Sequence, residues 1–152
     1  MDNLFGSIYC WFESLFGLTL ADYLWGLSSP LSTTNQFISV GLWMFGISLV
    51  IVLLYYYVVD HPKLCSWWGW GIFLAVNAVV NFIVGWQWVL SDQYEGLMVE
   101  IDPSTNMEVP LNITASNLLA FGTANAILSS LTFVIISLCV KWWSKNCSSA
   151  PF

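Results

Sequence analysis

Three long runs of apolar residues dominate the pattern of the chain. They occupy residues 37–59, 64–90 and 117–143, and only the last contains a charged residue, Lys141, close to its end. A helix rises 1.5 Å per residue, so it needs about 20 mainly apolar residues to cross the hydrocarbon core of a bilayer. All three runs meet that length. We therefore predict an all-α membrane protein with three transmembrane helices.

The N-terminal part has a different, amphipathic pattern. A helix drawn over residues 2–21 places small and polar side chains on one face: Asn3, Gly6, Ser7, Cys10, Ser14 and Gly17. This pattern is typical of a helix lying in the membrane interface, although such helices usually carry basic residues and this one has none. The alternative is a fourth span. We favour the interfacial helix, because Glu13 and Asp22 would each cost about 2.5 kcal/mol or more at the membrane centre.

The loop between the second and third runs, residues 91–116, predicts a small β-hairpin. Apolar residues alternate with polar ones on both sides of a turn-forming stretch, Pro103 to Asn106. Pro110 confines the second strand to an edge, because proline has no N–H to donate. An isolated hairpin is marginally stable in water, so we expect it to rest on something, and a neighbouring subunit is one candidate.

The lysines predict the orientation. Lys63 lies between the first two runs, and Lys141 and Lys145 lie at or after the end of the third. A chain with three spans puts both places on the same side of the membrane, and lysines favour the cytoplasmic side. We expect a protein of the plasma or inner membrane with a cytoplasmic C-terminus and loop 91–116 outside. Residues 1–34 then form the N-terminal helix and linker, and residues 35–152 form the three-span domain.

Aromatic residues cluster near the ends of the predicted spans, as is typical of side chains at headgroup depth. One group lies near the predicted cytoplasmic ends and the other near the outer ends. The first comprises Tyr55, Tyr56, Tyr57, Trp67, Trp68, Trp70, Trp142 and Trp143, and the second comprises Trp86, Trp88 and Tyr94.

Composition and motifs exclude several classes of function. The chain is 58% hydrophobic and 8% charged, with three lysines and no arginine, so it lacks the basic surface of a nucleic-acid-binding protein. It contains no G-x-S-x-G, H-E-x-x-H or glycine-rich phosphate loop, and we predict neither an enzyme nor a cofactor. A metal site is not predicted either, because His61 is the only histidine and no cysteines have C-x-x-C spacing. We interpret the four cysteines as free thiols: Cys10, Cys65, Cys139 and Cys147.

Uncharged polar residues within the predicted spans are the candidate functional positions. Asn77 and Asn81 are four residues apart and therefore share a helical face, while Thr123 and Asn125 lie in the third span. An amide in hydrocarbon needs a hydrogen-bond partner. These side chains either bond across the helix bundle or line a water-filled path. Small residues at spacings of four, such as Gly71 and Ala75, would let helices approach closely.

Three spans enclose too little room for a pore, so any conducting path would form where several copies meet. Loop 91–116 carries acidic residues without a basic residue to compensate them: Asp92, Glu95, Glu100, Asp102 and Glu108. In a homo-oligomer they would form a negative outer mouth that concentrates cations. We therefore predict a homo-oligomeric, cation-preferring channel lined by Asn77, Asn81, Thr123 and Asn125. The alternative is a non-conducting membrane subunit or scaffold that interacts with a larger complex. The predicted partners are the lipid bilayer, further copies of the chain and other membrane proteins.

Overall fold

The structure, a computed structural model, describes residues 4–31, 33–58, 66–102 and 104–142. The described elements comprise helices and two short strands. In chain order they are α1 (Leu4–Cys10), α2 (Glu13–Phe16), α3 (Leu18–Trp25), α4 (Gln36–Leu53), α5 (Trp67–Tyr94), β1 (Val99–Ile101), β2 (Glu108–Pro110) and α6 (Ala115–Lys141). A π-helical turn, Leu54–Val58, continues α4 at its C-terminal end.

Three helices are long and apolar enough to cross a membrane, as predicted. They are Gln36–Val58 with 23 residues, Trp67–Tyr94 with 28 and Ala115–Lys141 with 27. Asn35 caps the first of them, because its Oδ1 accepts a hydrogen bond from the Phe37 N–H at 3.1 Å. The second continues four residues beyond the predicted end at Leu90. The other predicted limits at Val59, Leu64 and Trp143 lie outside the described residues.

The predicted continuous helix over residues 2–21 is wrong. The N-terminal segment, which we define as Leu4–Trp25, contains α1, α2 and α3 instead, with breaks at Trp11–Phe12 and at Gly17. Gly17 has φ +90°, which ends the helical path because a right-handed helix requires a negative φ. The buried residues also differ from the predicted faces, since Gly6, Tyr9 and Phe16 are buried whereas Ser7 and Ser14 are exposed. These helices have 7, 4 and 8 residues, so none has the length of a fourth span.

The predicted β-hairpin is confirmed. β1 and β2 pair antiparallel, with Val99 opposite Pro110 and Ile101 opposite Glu108. The hairpin is tied to the connection after α3, because the buried Ser29 Oγ donates a hydrogen bond to the Leu97 carbonyl at 2.8 Å. This bond links the hairpin to another part of the chain; support from a neighbouring subunit stays a prediction.

The chain divides into two compact units, and each long helix contributes residues to both. Unit 1 comprises Met1–Leu42 and Ile83–Ala124, and unit 2 comprises Trp43–Phe82 and Asn125–Phe152. The sequence predicted a boundary at residue 34, between the N-terminal helix with its linker and the three-span domain. The two compact units do not test that boundary, which stays a prediction.

An aromatic cluster forms the centre of unit 1. The Tyr9 ring stacks on Phe37 and Phe121 at centroid distances of 5.2 and 5.6 Å, and Phe16 meets Phe121 edge-on at 5.4 Å. All four side chains are fully buried. Such ring pairs add stabilisation of about 0.5–1.5 kcal/mol each beyond the area they bury. The cluster therefore attaches the N-terminal segment to α4 and α6.

The core of unit 2 also contains aromatic residues. Tyr55 and Tyr56 are fully buried, and Trp70 packs against Phe133 at a centroid distance of 5.8 Å. The described aromatic residues at this end of the spans thus fall into two groups, and Trp143 lies outside the described residues. Tyr55, Tyr56 and Trp70 belong to the core, and the exposed members are Tyr57, Trp67, Trp68 and Trp142.

Gly26 ends α3 in a conformation that strongly favours glycine. Its φ is +78°, its N–H bonds to helix carbonyls, and a Cβ at this position would lie 2.8 Å from the Thr33 backbone carbon. Gly96 has a similar φ of +71° but nothing within 4 Å of a built Cβ. We expect Gly26→Ala to lower the free energy of unfolding by about 2–3 kcal/mol and Gly96→Ala by about 1 kcal/mol. Denaturant titration of both variants in detergent measures the difference, and equal losses would contradict the predicted backbone clash.

Candidate functional site

Three buried asparagines of unit 2 form a hydrogen-bonded network between α5 and α6. Asn77, Asn81 and Asn125 are fully inaccessible to solvent. The Asn77 Nδ2 donates to the Ser129 carbonyl at 3.0 Å, and the Asn125 Nδ2 donates to the Asn81 carbonyl at 2.6 Å. Within α5, the Asn81 Nδ2 donates to both the carbonyl and the Oδ1 of Asn77, at 3.0 and 3.2 Å. We call these side chains the asparagine network.

Helical spacing explains why these residues meet. Asn77 and Asn81 are four apart on α5, and Asn125 and Ser129 are four apart on α6, so each pair lies along one face of its helix. The two faces exchange bonds in both directions: α5 donates to a carbonyl of α6, and α6 donates to a carbonyl of α5. The network therefore fixes the register of the two helices as well as their contact.

Two buried polar atoms of unit 2 have no hydrogen-bond partner among the described residues. They are the Oδ1 of Asn81 and the Oγ of Ser48, which lies on α4. The Asn81 Nδ2 faces two oxygens of Asn77, and the reverse orientation of this amide would place oxygen against oxygen. Unpaired polar atoms in an apolar interior reduce stability.

The structure brings together three of the four predicted pore-lining residues. Asn77, Asn81 and Asn125 lie within the subunit, whereas Thr123 is exposed on α6 and donates its hydroxyl to the Leu119 carbonyl at 3.0 Å. Of the two interpretations drawn from the sequence, this arrangement favours bonds across the helix bundle. The assignment of these four residues to a pore stays a prediction.

A second buried hydrogen-bond centre in unit 2 could not be recognised from the sequence. The Ser137 Oγ accepts a hydrogen bond from the Trp70 Nε1 at 3.0 Å and shares another with the Tyr56 hydroxyl at 2.8 Å. This centre joins α6 to α5 and to the π-helical end of α4. Sequence reasoning assigned Tyr56 and Trp70 to the membrane interface by residue type alone, and no sequence feature distinguished them from exposed neighbours.

The acidic residues of unit 1 have different surroundings. The Tyr23 hydroxyl donates to Asp92 at 2.8 Å and accepts from the Gln36 Nε2 at 3.4 Å, while the Gln36 Oε1 accepts from the Trp88 Nε1 at 3.1 Å. Asp92 therefore takes part in a chain of bonds that holds α3 against α4 and α5. Asp92 forms this internal contact in addition to contributing negative charge.

The other four acids lie at the end of α5 and in the hairpin. The Asp102 Oδ1 accepts hydrogen bonds from the Ser104 hydroxyl and N–H at 2.6 and 2.8 Å, which lower the pKa of Asp102 because they stabilise its charged form. Glu95, Glu100 and Glu108 are exposed. The sequence of unit 1 contains no lysine or arginine to compensate them. Their gathering into a mouth shared by several copies stays a prediction.

No group of three or more histidine, cysteine, aspartate or glutamate side chains among the described residues is arranged to hold a metal ion. Cys10 and Cys139 are free thiols, and Cys10 accepts a hydrogen bond from the Trp25 Nε1 at 3.4 Å. Cys65, Cys147 and His61 lie outside the described residues.

A shallow apolar groove of about 520 Å³ lies at the start of α5 in unit 2. The lining residues are Trp67, Trp68, Trp70, Gly71, Ile72 and Ala75. A Cβ built on Gly71 meets nothing within 4 Å, so the space beside it is open. Gly71 and Ala75 are one of the sets of small residues that the sequence predicted as sites of close helix approach.

The chain matches no protein-family model, and neither a curated protein nor a solved structure is significantly similar to it.

Proposed function

We propose that this protein is a non-conducting integral membrane subunit that crosses the bilayer three times and assembles with other membrane proteins. The asparagine network carries the proposal. All of its amide donors bond to oxygens within unit 2, so the three buried asparagines of the spans act as packing contacts. A pore lined by the same amides would need them to face water.

The proposal includes an orientation in the plasma or inner membrane. The lysines favour a cytoplasmic C-terminus, so the hairpin and the start of α4 lie at the outer side. The N-terminal segment then lies in the outer interface, as part of unit 1. The acidic hairpin faces water on that side.

The groove around Gly71 is the proposed contact surface for a helix of a partner protein. Small residues at spacings of four allow two helix backbones to approach, and van der Waals packing then drives association in lipid. The groove also has flanking tryptophans that are mostly exposed, Trp67 and Trp68. Aromatic side chains of this kind are enriched in interfaces between proteins.

We expect Gly71→Leu to reduce the mass of the complex purified in mild detergent, because a leucine fills the space that a partner helix would occupy. Gly46→Leu is the matched control: Gly46 is on α4, and a Cβ built there also meets nothing within 4 Å. Both variants should therefore fold as single chains. Native mass spectrometry measures the assembly. An unchanged complex in Gly71→Leu, or equal loss in both variants, would contradict the proposed surface.

A homo-oligomeric, cation-preferring channel is the second candidate function. The observation in its favour is the set of exposed acids in unit 1, Glu95, Glu100 and Glu108, which have no basic residue to compensate them in that unit. Repeated around a symmetry axis, they would raise the local cation concentration. The conducting path would then run between copies along surfaces that include Thr123, and cation-selective conductance in planar bilayers would be its signature.

A further inference from the structure

The exposed side chains of the N-terminal segment are all uncharged. Four are large and apolar, with exposed fractions between 53% and 81%: Leu4, Trp11, Leu15 and Leu18. The remaining three exposed residues, Ser7, Ser14 and Thr19, carry hydroxyls. The only charged residues of the segment, Glu13 and Asp22, are partly buried. A surface in contact with water normally carries roughly a quarter or more charged residues.

The hairpin of the same unit provides the contrast. Its exposed residues include Glu100 and Glu108, and the exposed Glu95 lies just before it. Charge therefore marks the part of unit 1 that meets water. The N-terminal segment exposes four large apolar side chains and no charged one.

Contacts with the long helices show how far along the axes of the spans the segment lies. The Phe5 ring packs on the backbone of Gly41, where a built Cβ would lie 2.3 Å from a ring carbon. Gly41 is five residues after Gln36, the first residue of α4, which corresponds to a distance of about 7.5 Å along the helix axis. Tyr9 stacks on Phe37 and on Phe121, which is six residues after Ala115, the first residue of α6. α1 thus lies beside the first two turns of both helices.

The later part of the segment lies at the helix ends. A Cβ on Gly17 would approach the Asn117 side chain to 2.9 Å, and Tyr23 bonds to Asp92 in the last turn of α5. Phe5 thus lies inside the start of α4, Gly17 and Tyr23 contact the ends of the spans, and Trp25 returns to pack against Gly6 and Phe37. An interfacial helix is typically buried about 5–10 Å into the boundary between headgroups and acyl chains, which agrees with the level of Phe5.

We infer that the N-terminal segment is an interfacial element whose exposed apolar side chains Leu4, Trp11 and Leu15 contact lipid acyl chains at the Gln36 end of α4. Leu18 is not among them, because it lines a cleft with Asp22 and Glu100. This inference rests on the proposed membrane insertion of α4, α5 and α6. It deepens the interfacial placement, because it names lipid acyl chains as what these side chains contact. The occupant is lipid, since these side chains stand at the level of spans that lipid surrounds.

Spin labels test the inference in the full chain reconstituted in phosphatidylcholine vesicles. The native cysteines are replaced by serine, and single cysteines are introduced as Trp11→Cys and Leu15→Cys. Two reference variants are Val79→Cys, on an exposed position of α5, and Ser104→Cys, in the hairpin turn. Spectral broadening by oxygen reports lipid, and broadening by a water-soluble nickel complex reports water.

We expect oxygen to broaden the spectra at positions 11, 15 and 79, and broadening by the nickel complex to be lost there but present at position 104. Nickel broadening at positions 11 and 15, with position 79 in lipid, would place the segment in water and overturn the inference. Labels at 11 and 15 that neither reagent reaches would show a covering protein surface and would overturn it equally. Nickel broadening at position 79 would instead refute the membrane insertion on which the proposed function depends, and the inference with it.

Discussion

Replacing Phe121 with alanine is expected to lower the free energy of unfolding by about 3–5 kcal/mol. Phe121 is fully buried, and its ring contacts Tyr9, Phe16 and Phe37. Alanine would remove all of these ring contacts and leave a cavity where α1, α2, α4 and α6 meet. Because the first two contacts attach the N-terminal segment, we also expect that segment to become accessible to protease. Denaturant titration and limited proteolysis in detergent measure the two effects.

Leu119→Ala is the matched control for this prediction. Leu119 is on the same helix two residues earlier, but 44% of it is exposed, so its truncation should change stability by much less. If Phe121→Ala behaved like Leu119→Ala, the aromatic cluster would not be what holds the segment. If protease cleaved the segment at the same rate in the wild-type protein and in Phe121→Ala, the same conclusion would follow.

The three long helices could be predicted from the sequence because their apolar runs exceed the length of a span. The hairpin could be predicted as well, since alternation of apolar residues around a turn is a local property. The break of the N-terminal helix at Gly17 could not. The helical row of small residues includes Gly17 as its last member, and the break accompanies the burial of Tyr9 and Phe16, which depends on contacts with α4 and α6.

The candidate site was predicted only in part, because spacing in the sequence shows which residues share a helical face but not which partners they meet on another helix. The shared face of Asn77 and Asn81 follows from their spacing on one helix. Their partners do not, because the carbonyl of Ser129 is reached only when α6 is rotated to face α5. Tyr56 and Trp70 show the limit of residue type as evidence: aromatic residues near helix ends were assigned to the interface, and tertiary packing buries these two around Ser137.

Removing both cross-helix bonds of the asparagine network, in the double variant Asn77→Ala with Asn125→Ala, is expected to lower the free energy of unfolding by about 2–4 kcal/mol. Each interhelical hydrogen bond in a membrane contributes about 0.6–2 kcal/mol, and truncating two fully buried side chains adds cavities. Asn77→Ala also removes the Oδ1 that accepts from Asn81. Denaturant titration in detergent measures the loss. Planar-bilayer recording of the same proteins measures any conductance.

Thr123→Ala is the control for this prediction, because Thr123 is exposed on α6 and its hydroxyl bonds only within its own helix, to Leu119. We expect its stability to stay within about 0.5 kcal/mol of the wild-type protein. Under the proposed function, the wild-type protein shows no conductance above background, and only the asparagine variant loses stability. A channel predicts the opposite: cation-selective conductance in the wild-type protein, with ion preference altered by the asparagine and Thr123 substitutions while stability is retained. That second outcome would reject the non-conducting subunit and assign the four residues to a pore.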